Sequence, residues 1–303
     1  MGDIGATARS SRGDERPVPG RPTARPDAVS ARSFVGRRHL LAALREDWAA
    51  VRRGASRVVW VVGEAGIGKT ALVRRFTVDA EPAQTSWVSA DEAEQGLRFG
   101  VAEQLLRALG AVRDRPIPIS ASDVDVGGDL IAAIGDAADP RVVVVDDLQW
   151  VDPQSLGALR FMLRRLESDG VLIVLVSQPE PWTTIGEGWR RLLEDPQTVR
   201  RSVVVGLDAA EVANLAEVIH GKRLDPTAAE RLREHTAGHP LHTSVLLREL
   251  AFEQIAMPTG VLPAPRSFAE VVLSLVAALD ESSRSLVRAA AVLGSPFDLV
   301  TAG

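Results

Sequence analysis

The chain is 303 residues long, enough for one large domain and one or two small ones. A hydrophobic fraction of 46% and a charged fraction of 25% are those of an ordinary globular protein, and a net charge of −5 excludes a global attraction to nucleic acid. Without cysteine there is no disulfide framework, thiolate metal site or cysteine nucleophile, and no apolar run approaches the roughly 18 residues of a membrane span or forms a secretory signal, so a cytoplasmic location is expected.

Residues 1–33 carry Pro17, Pro19, Pro22 and Pro26 among scattered charges and are expected to be a disordered leader. A basic arm is the alternative reading there, but Asp3, Asp14, Glu15 and Asp27 dilute its charge. Order should begin at Ser33-Phe34-Val35-Gly36-Arg37, after which His39, Leu40, Leu41, Leu44 and Trp48 follow at helical spacing, with a stop near Gly54. Val58 to Val62 is a continuous apolar run, the pattern of a strand buried on both faces. Similar runs lie at Ser86-Trp87-Val88, Val142 to Val145, Val171 to Val176 and Val203 to Val205. Helix-like stretches at Thr70–Phe76, Leu97–Leu109, Leu156–Leu166 and Trp189–Leu193 separate them. Alternating buried strands and helices predict a doubly wound α/β domain with a parallel sheet over residues 34–206.

Beyond Gly206 the pattern becomes helical. Asp208 caps one predicted helix that ends at Gly221, Asp225-Pro226 opens another, and Gly238-His239-Pro240 precedes a third that runs to about Glu253. Residues 207–258 are thus expected to form a small helical lid. Pro258, Pro263 and Pro265 mark a linker, and Phe268–Leu279 and Ser282–Leu293 are expected as two helices of a further domain, incomplete at residue 303.

Two motifs carry chemistry. Gly63-Glu64-Ala65-Gly66-Ile67-Gly68-Lys69-Thr70 matches the phosphate-binding loop G-x-x-x-x-G-K-[ST], and it sits between a predicted buried strand and a helix. Its glycines allow backbone N–H groups to converge on phosphate oxygens, and the helix N-terminus, with Ala71 in its first turn, adds a positive end. Lys69 is expected on the β- and γ-phosphates and Thr70 in a magnesium shell. Lys69 and Lys222 are the only lysines among 35 basic residues, so a generic cation here would nearly always be Arg, which cannot replace a compact ammonium in this loop. The second motif is Val142-Val143-Val144-Val145-Asp146-Asp147, a strand ending in carboxylates at the sheet edge where α/β ligands bind. Asp146 is the expected magnesium ligand, through water, and Asp147 the residue that orients an attacking water. Asp152, before Pro153, reads as a helix cap, and Arg74 and Arg75 read as solvated helix residues, with one of them facing phosphate as the alternative. His220, His235, His239 and His242 lack metal-site spacing, although His239 has a place near the nucleotide between Gly238 and Pro240.

In order, Phe34-Val35-Gly36-Arg37, the phosphate loop, Asp146-Asp147-Leu148-Gln149-Trp150-Val151-Asp152-Pro153 and Gly238-His239-Pro240 resemble the ATPase module of STAND NTPases, specifically of large ATP-binding LuxR-type transcriptional regulators. The resemblance runs from about Phe34 to Phe297. It implies a P-loop NTPase with five parallel strands in the order 5-1-4-3-2, a helical lid, and the start of a winged helix over residues 259–303. It also implies that Val35, Gly36 and Arg37 line the adenine pocket and that Pro240 closes over the base. A sensor region and a helix-turn-helix would lie in parts absent from this chain, the only route to DNA. Relatives carry an arginine that senses the γ-phosphate after the fourth strand; here the segment is Val176-Ser177-Gln178-Pro179, and Gln178 can contact phosphate without supplying charge.

The expected function is a regulatory switch that binds ATP or ADP with Mg2+, closed with ADP and opened by ATP for self-association, with slow or no hydrolysis. The alternatives are an active oligomeric AAA+-type ATPase, which needs an arginine finger that no residue marks, and a P-loop small-molecule kinase, for which no acceptor signature is present.

Overall fold

The computed structural model describes residues 34–80, 82, 84–111, 116–135, 139–166, 169–179, 185–257, 262–264, 273, 276, 277 and 279–293. The leader of residues 1–33, most of the Phe268–Leu279 helix, and Pro258 and Pro265 of the linker lie outside them. Among the described residues no helix is long and apolar enough to cross a membrane.

The first domain runs α1 (Arg38–Val51), β1 (Arg57–Val62), α2 (Lys69–Ala80), β2 (Gln84–Ser89), α3 (Gly100–Ala108), α4 (Asp123–Gly135), β3 (Arg141–Asp146), α5 (Pro153–Leu163), β4 (Val171–Ser177), α6 (Glu187–Leu193) and β5 (Val199–Val203). The strands form one parallel sheet ordered β2-β3-β4-β1-β5, the expected order read from its other edge. All six residues of β3 and all seven of β4 are buried, because helices cover both faces. Alternation then divides each strand between two cores. Trp60, Val143, Val145, Ile173 and Leu175 pack with α3, α4, α5 and α6. Val59, Val61, Val142, Val144, Leu172 and Val174 pack with α1 and α2. At about 1.5–3 kcal/mol for each large apolar side chain withdrawn from water, these two layers supply the main drive for folding.

β5 corrects the expected strand at Val203 to Val205. It lies earlier, pairing Val58 with Val199 and Val62 with Val203, while Val205 is exposed. Its Arg200 and Arg201 disguised it, but an edge strand tolerates charge: Arg200 pairs with Asp47 of α1, and Arg201 lies over the Trp60 ring. α4 had no counterpart among the expected elements. Gly127 and Gly128 break its propensity, yet a Cβ on Gly127 would stand 2.7 Å from Phe161 Cδ1 and 2.9 Å from the Ala158 carbonyl. The glycine lets α4 and α5 approach at backbone distance, where packing outweighs its helix cost.

The helical unit comprises α7 (Ala209–His220), α8 (Pro226–Thr236), α9 (Pro240–Glu249) and α10 (Phe252–Ala256). Asp208 and Glu211 form a capping box on α7, and Asp225 accepts from Thr227 and Ala228 N–H to start α8. Leu215, Leu232, Leu246 and Ile255 meet in its core, against which Val35 packs from the other domain. The third expected helix is split, since Leu250 leaves helical geometry and α10 starts afresh at Phe252. α11 (Glu281–Leu293) matches the expected Ser282–Leu293 helix closely.

Gly127 and Gly128 provide an internal comparison. Gly128→Ala meets nothing within 4 Å and should stabilise the protein by roughly 0.5–1 kcal/mol in urea unfolding. Gly127→Ala gains the same propensity but forces α4 off α5, and a net loss of about 1–3 kcal/mol is expected.

Candidate nucleotide site

β1, β3 and β4 end at the same edge of the sheet, and the loops that leave them converge there. The loop after β1 turns through Gly66 (φ 73°) and Gly68 (φ 95°), conformations that glycine adopts freely, and delivers the chain into α2. Gly63 has no room for a side chain, since a Cβ would stand 2.5 Å from the Val204 carbonyl. Lys69 is buried, and its Nζ donates to the carbonyls of Gly63 (2.9 Å) and Glu64 (2.8 Å), which hold the ammonium inside the loop. Burial lowers its pKa, and the charges of Asp147 and Asp146 partly offset this.

From β3, Asp146 reaches across the width of β4. Its Oδ2 accepts from Thr70 Oγ1 at 2.9 Å, and its Oδ1 accepts from the Asp147 N–H at 3.1 Å. The carboxyl is 3% exposed, and burial, followed by the neighbouring Asp147 charge, raises its pKa. A hydroxyl and a carboxylate at hydrogen-bond distance, beside a lysine and a run of loop N–H groups, form a donor set that fits a phosphate chain with Mg2+. When bound, the ion would neutralise phosphate charge; Thr70 and Asp146 are the residues here to hold it, while Lys69 supplies the fixed positive charge.

A cleft of about 390 Å³ opens at this edge, lined by Ala65, Gly66, Gly68, Lys69, Thr70, Ala71, Arg74, Asp147 and Gln178. Arg74 lines the cleft, the less favoured of the two expectations for it, with its guanidinium over the Trp87 ring at 5.6 Å. Asp147 sits in the left-handed region at φ 57°, a conformation rare for a residue with a side chain. Its carboxylate accepts from Gln149 Nε2 at 2.9 Å.

Val35, Gly36, Arg37, Glu64, Ile67 and Pro240 are not among the residues that line this cleft. Ile67 is buried in the α1–α2 core while its carbonyl accepts from Arg37 Nη2 at 2.9 Å. Arg37 is also left-handed, and its N–H donates to Glu211 of α7 at 2.6 Å. Burial lowers the Arg37 pKa against the opposing pull of Glu211. Pro240 is the first residue of α9. The lid side chain that meets the phosphate loop is His239, whose Nε2 lies 2.9 Å from the Ala65 carbonyl and whose ring stacks on His242 at 4.1 Å. Glu211 was not singled out from sequence; the signal available was its place as the third residue after the Asp208 cap. Asp152 does cap α5 through the Ser155 N–H, and it also accepts from Phe99 and Val101 N–H at the start of α3.

This is the α/β fold of P-loop NTPases, with five parallel strands and the phosphate loop between β1 and α2. Within that class, residues 33–175 match the family described as the AAA ATPase domain, which ties the chain to nucleotide binding. Among solved structures it is similar to Cdc6p from Pyrobaculum aerophilum, with a TM-score of 0.50 and 13% identity over 74% of this chain and 64% of that one. It is also similar to the Orc1 protein of Aeropyrum pernix in complex with DNA (TM-score 0.48, 17% identity, 87% of this chain and 73% of that one). A RuvB variant from Thermotoga maritima gives a TM-score of 0.45 at 14% identity, over 89% of this chain and 81% of that one. At these identities the first likeness is one of fold, and the chain spans 64% of the length of the Pyrobaculum protein. No curated protein matches the chain in sequence.

Lys69→Ala should weaken ADP binding about 100-fold or more, measured by calorimetry, with the circular dichroism of the sheet retained. Asp146→Asn should abolish the magnesium dependence of that binding. The same substitution should raise the melting temperature of the nucleotide-free protein near neutral pH. A raised native pKa stabilises the fold at acid pH and loses that contribution as pH rises through it, so the gain from Asn should shrink on acidification.

Proposed function

We propose that residues 34–257 form a nucleotide-dependent switch that holds ATP or ADP with Mg2+ between the α/β domain and the helical lid, with slow or no turnover in isolation. The contact of His239 with the Ala65 carbonyl carries this reading, because it joins the lid to the loop that would cradle the phosphates. The Arg37–Glu211 bond is a second joint between the same two bodies. Lid orientation and phosphate-loop geometry are therefore coupled, and a ligand that binds one lid position better shifts the population toward it. The resemblance in sequence extends the proposal to an ATPase module of a LuxR-type STAND regulator, in which Val35 and Pro240 serve the base and sensor and DNA-binding parts lie outside this chain. Asp147, shorter than a glutamate and held by Gln149, supports slow hydrolysis.

The match to an AAA ATPase domain favours a second reading, an active oligomer in which a neighbouring subunit completes the site. Chromatography of nucleotide released from denatured protein decides the first step, with stoichiometric ADP expected for a closed switch. Hydrogen exchange of α7 and α9 should then differ between ADP and a non-hydrolysable ATP analogue. Identical exchange, with turnover that rises with protein concentration, would favour the oligomeric ATPase. His239→Ala should speed ADP release by about tenfold, the loss of one buried hydrogen bond.

A further inference from the structure

Gln149 is 5% exposed and lies in the short turn Leu148–Trp150 that follows Asp147. Its side-chain amide is used at both ends. Nε2 donates to Asp147 Oδ1 at 2.9 Å, and Oε1 accepts from the backbone N–H of Gln178 at 3.2 Å. The orientation of the amide follows from its partners: a carboxylate needs a donor and a backbone N–H needs an acceptor. Two atoms of one planar group therefore tie the end of β3 to the end of β4.

Both ends of that tie belong to the cleft, since Asp147 and Gln178 line it together with Lys69 and Thr70. Each end is also bonded to its own surroundings. Asp147 is held left-handed while its carbonyl accepts from Trp150 N–H at 2.8 Å. The Gln178 carbonyl accepts from Ser177 Oγ at 2.8 Å, and that hydroxyl accepts from Trp60 Nε1 at 2.9 Å in the middle of the core. The turn itself is anchored by Gln95 Nε2 donating to the Gln149 carbonyl at 3.3 Å and by Leu148 and Val151, both fully buried. The amide thus bridges two strand ends that are each bonded to their own surroundings.

We propose that Gln149 is a positioning residue that transmits to Asp147 the presence of a γ-phosphate met at Gln178, and so sets the preference of the site for a nucleoside triphosphate over a diphosphate. This rests on the nucleotide reading above. A displacement of the Gln178 backbone toward a terminal phosphate pulls on Oε1, and the planar amide turns the Asp147 carboxylate with it. The α- and β-phosphates, met by the loop of residues 63–70, do not depend on this link.

The test compares affinities for MgADP and for a non-hydrolysable MgATP analogue, from mildly alkaline to mildly acidic pH, in wild type, Gln149→Leu and Gln149→Glu. Wild type, with Asp146, Asp147 and Lys69 unchanged around the position, supplies the baseline for pH. Gln149→Leu should leave ADP affinity within about twofold and reduce the triphosphate preference about tenfold, the loss of a charge-assisted hydrogen bond. Gln149→Glu should behave similarly at alkaline pH, where a second carboxylate cannot donate to Asp147. It should recover on acidification, because a neutral carboxyl donates as the amide does. A purely structural side chain would show no such recovery. A triphosphate preference in Gln149→Leu equal to that of wild type, or a Gln149→Glu profile parallel to wild type, overturns the proposal. Should Gln149→Leu fail to fold, the pH profile of Gln149→Glu decides alone. Wild type that binds neither nucleotide sinks the nucleotide reading itself, and this inference with it.

Discussion

Complete burial of two adjacent strands on both faces is the constraint from which the site follows. Along β3 and β4 no side chain reaches solvent, so polar chemistry is confined to where those strands end. Parallel strands end at one edge, and Asp146, Ser177 and the loop after β1 therefore arrive together. The Thr70–Asp146 hydrogen bond spans that edge with β4 lying between its partners.

The lid is joined to this edge by close backbone approaches as well as by side chains. A Cβ on Gly206 would collide with the carbonyl of Ala237, and one on Gly238, itself at φ 67°, would stand 2.8 Å from the Leu207 nitrogen. The Leu207 N–H donates to the Gly238 carbonyl at 2.7 Å, pinning the start of the lid to the turn that presents His239. A Cβ on Gly66 would lie 2.9 Å from His239 Cε1 and 3.0 Å from Leu241 Cδ2. The glycine that gives the phosphate loop its turn thus also makes room for the lid. One residue serves local conformation and interdomain fit.

What was legible in the sequence was whatever depended on local composition. The buried runs of β1, β3 and β4 and the caps Asp208 and Asp225 needed no tertiary knowledge. The phosphate loop and Asp146 were legible because nucleotide chemistry demands those residue types at those places. α4 was not, because Gly127 reads as a helix breaker until Phe161 and Ala158 are seen against it. Nor was the position of β5, whose arginines are explained only by Asp47 and Trp60 from elsewhere in the chain. The same holds in the site: Arg74 and the amide of Gln149 matter through partners distant in sequence, and of Glu211 spacing shows the capping box but not its bond to Arg37.

The electrostatics of the edge run against the stability of the bare protein. Asp146 is buried next to a second carboxylate, and Lys69 is buried with two carbonyls for company; their pKa values are displaced toward neutrality in opposite directions. Asp147 adds a backbone conformation that side chains disfavour. Each of these costs is of the kind that a polyanion with its metal ion reverses. A bound cation would favour the charged form of Asp146, and a bound phosphate that of Lys69. A site destabilised in this pattern converts ligand binding into fold stability. Under the proposed reading, the His239 and Glu211 contacts would let part of that stabilisation act on lid position. For the proposed switch, the physical content would be a buried, electrostatically strained edge to which the lid is hydrogen-bonded.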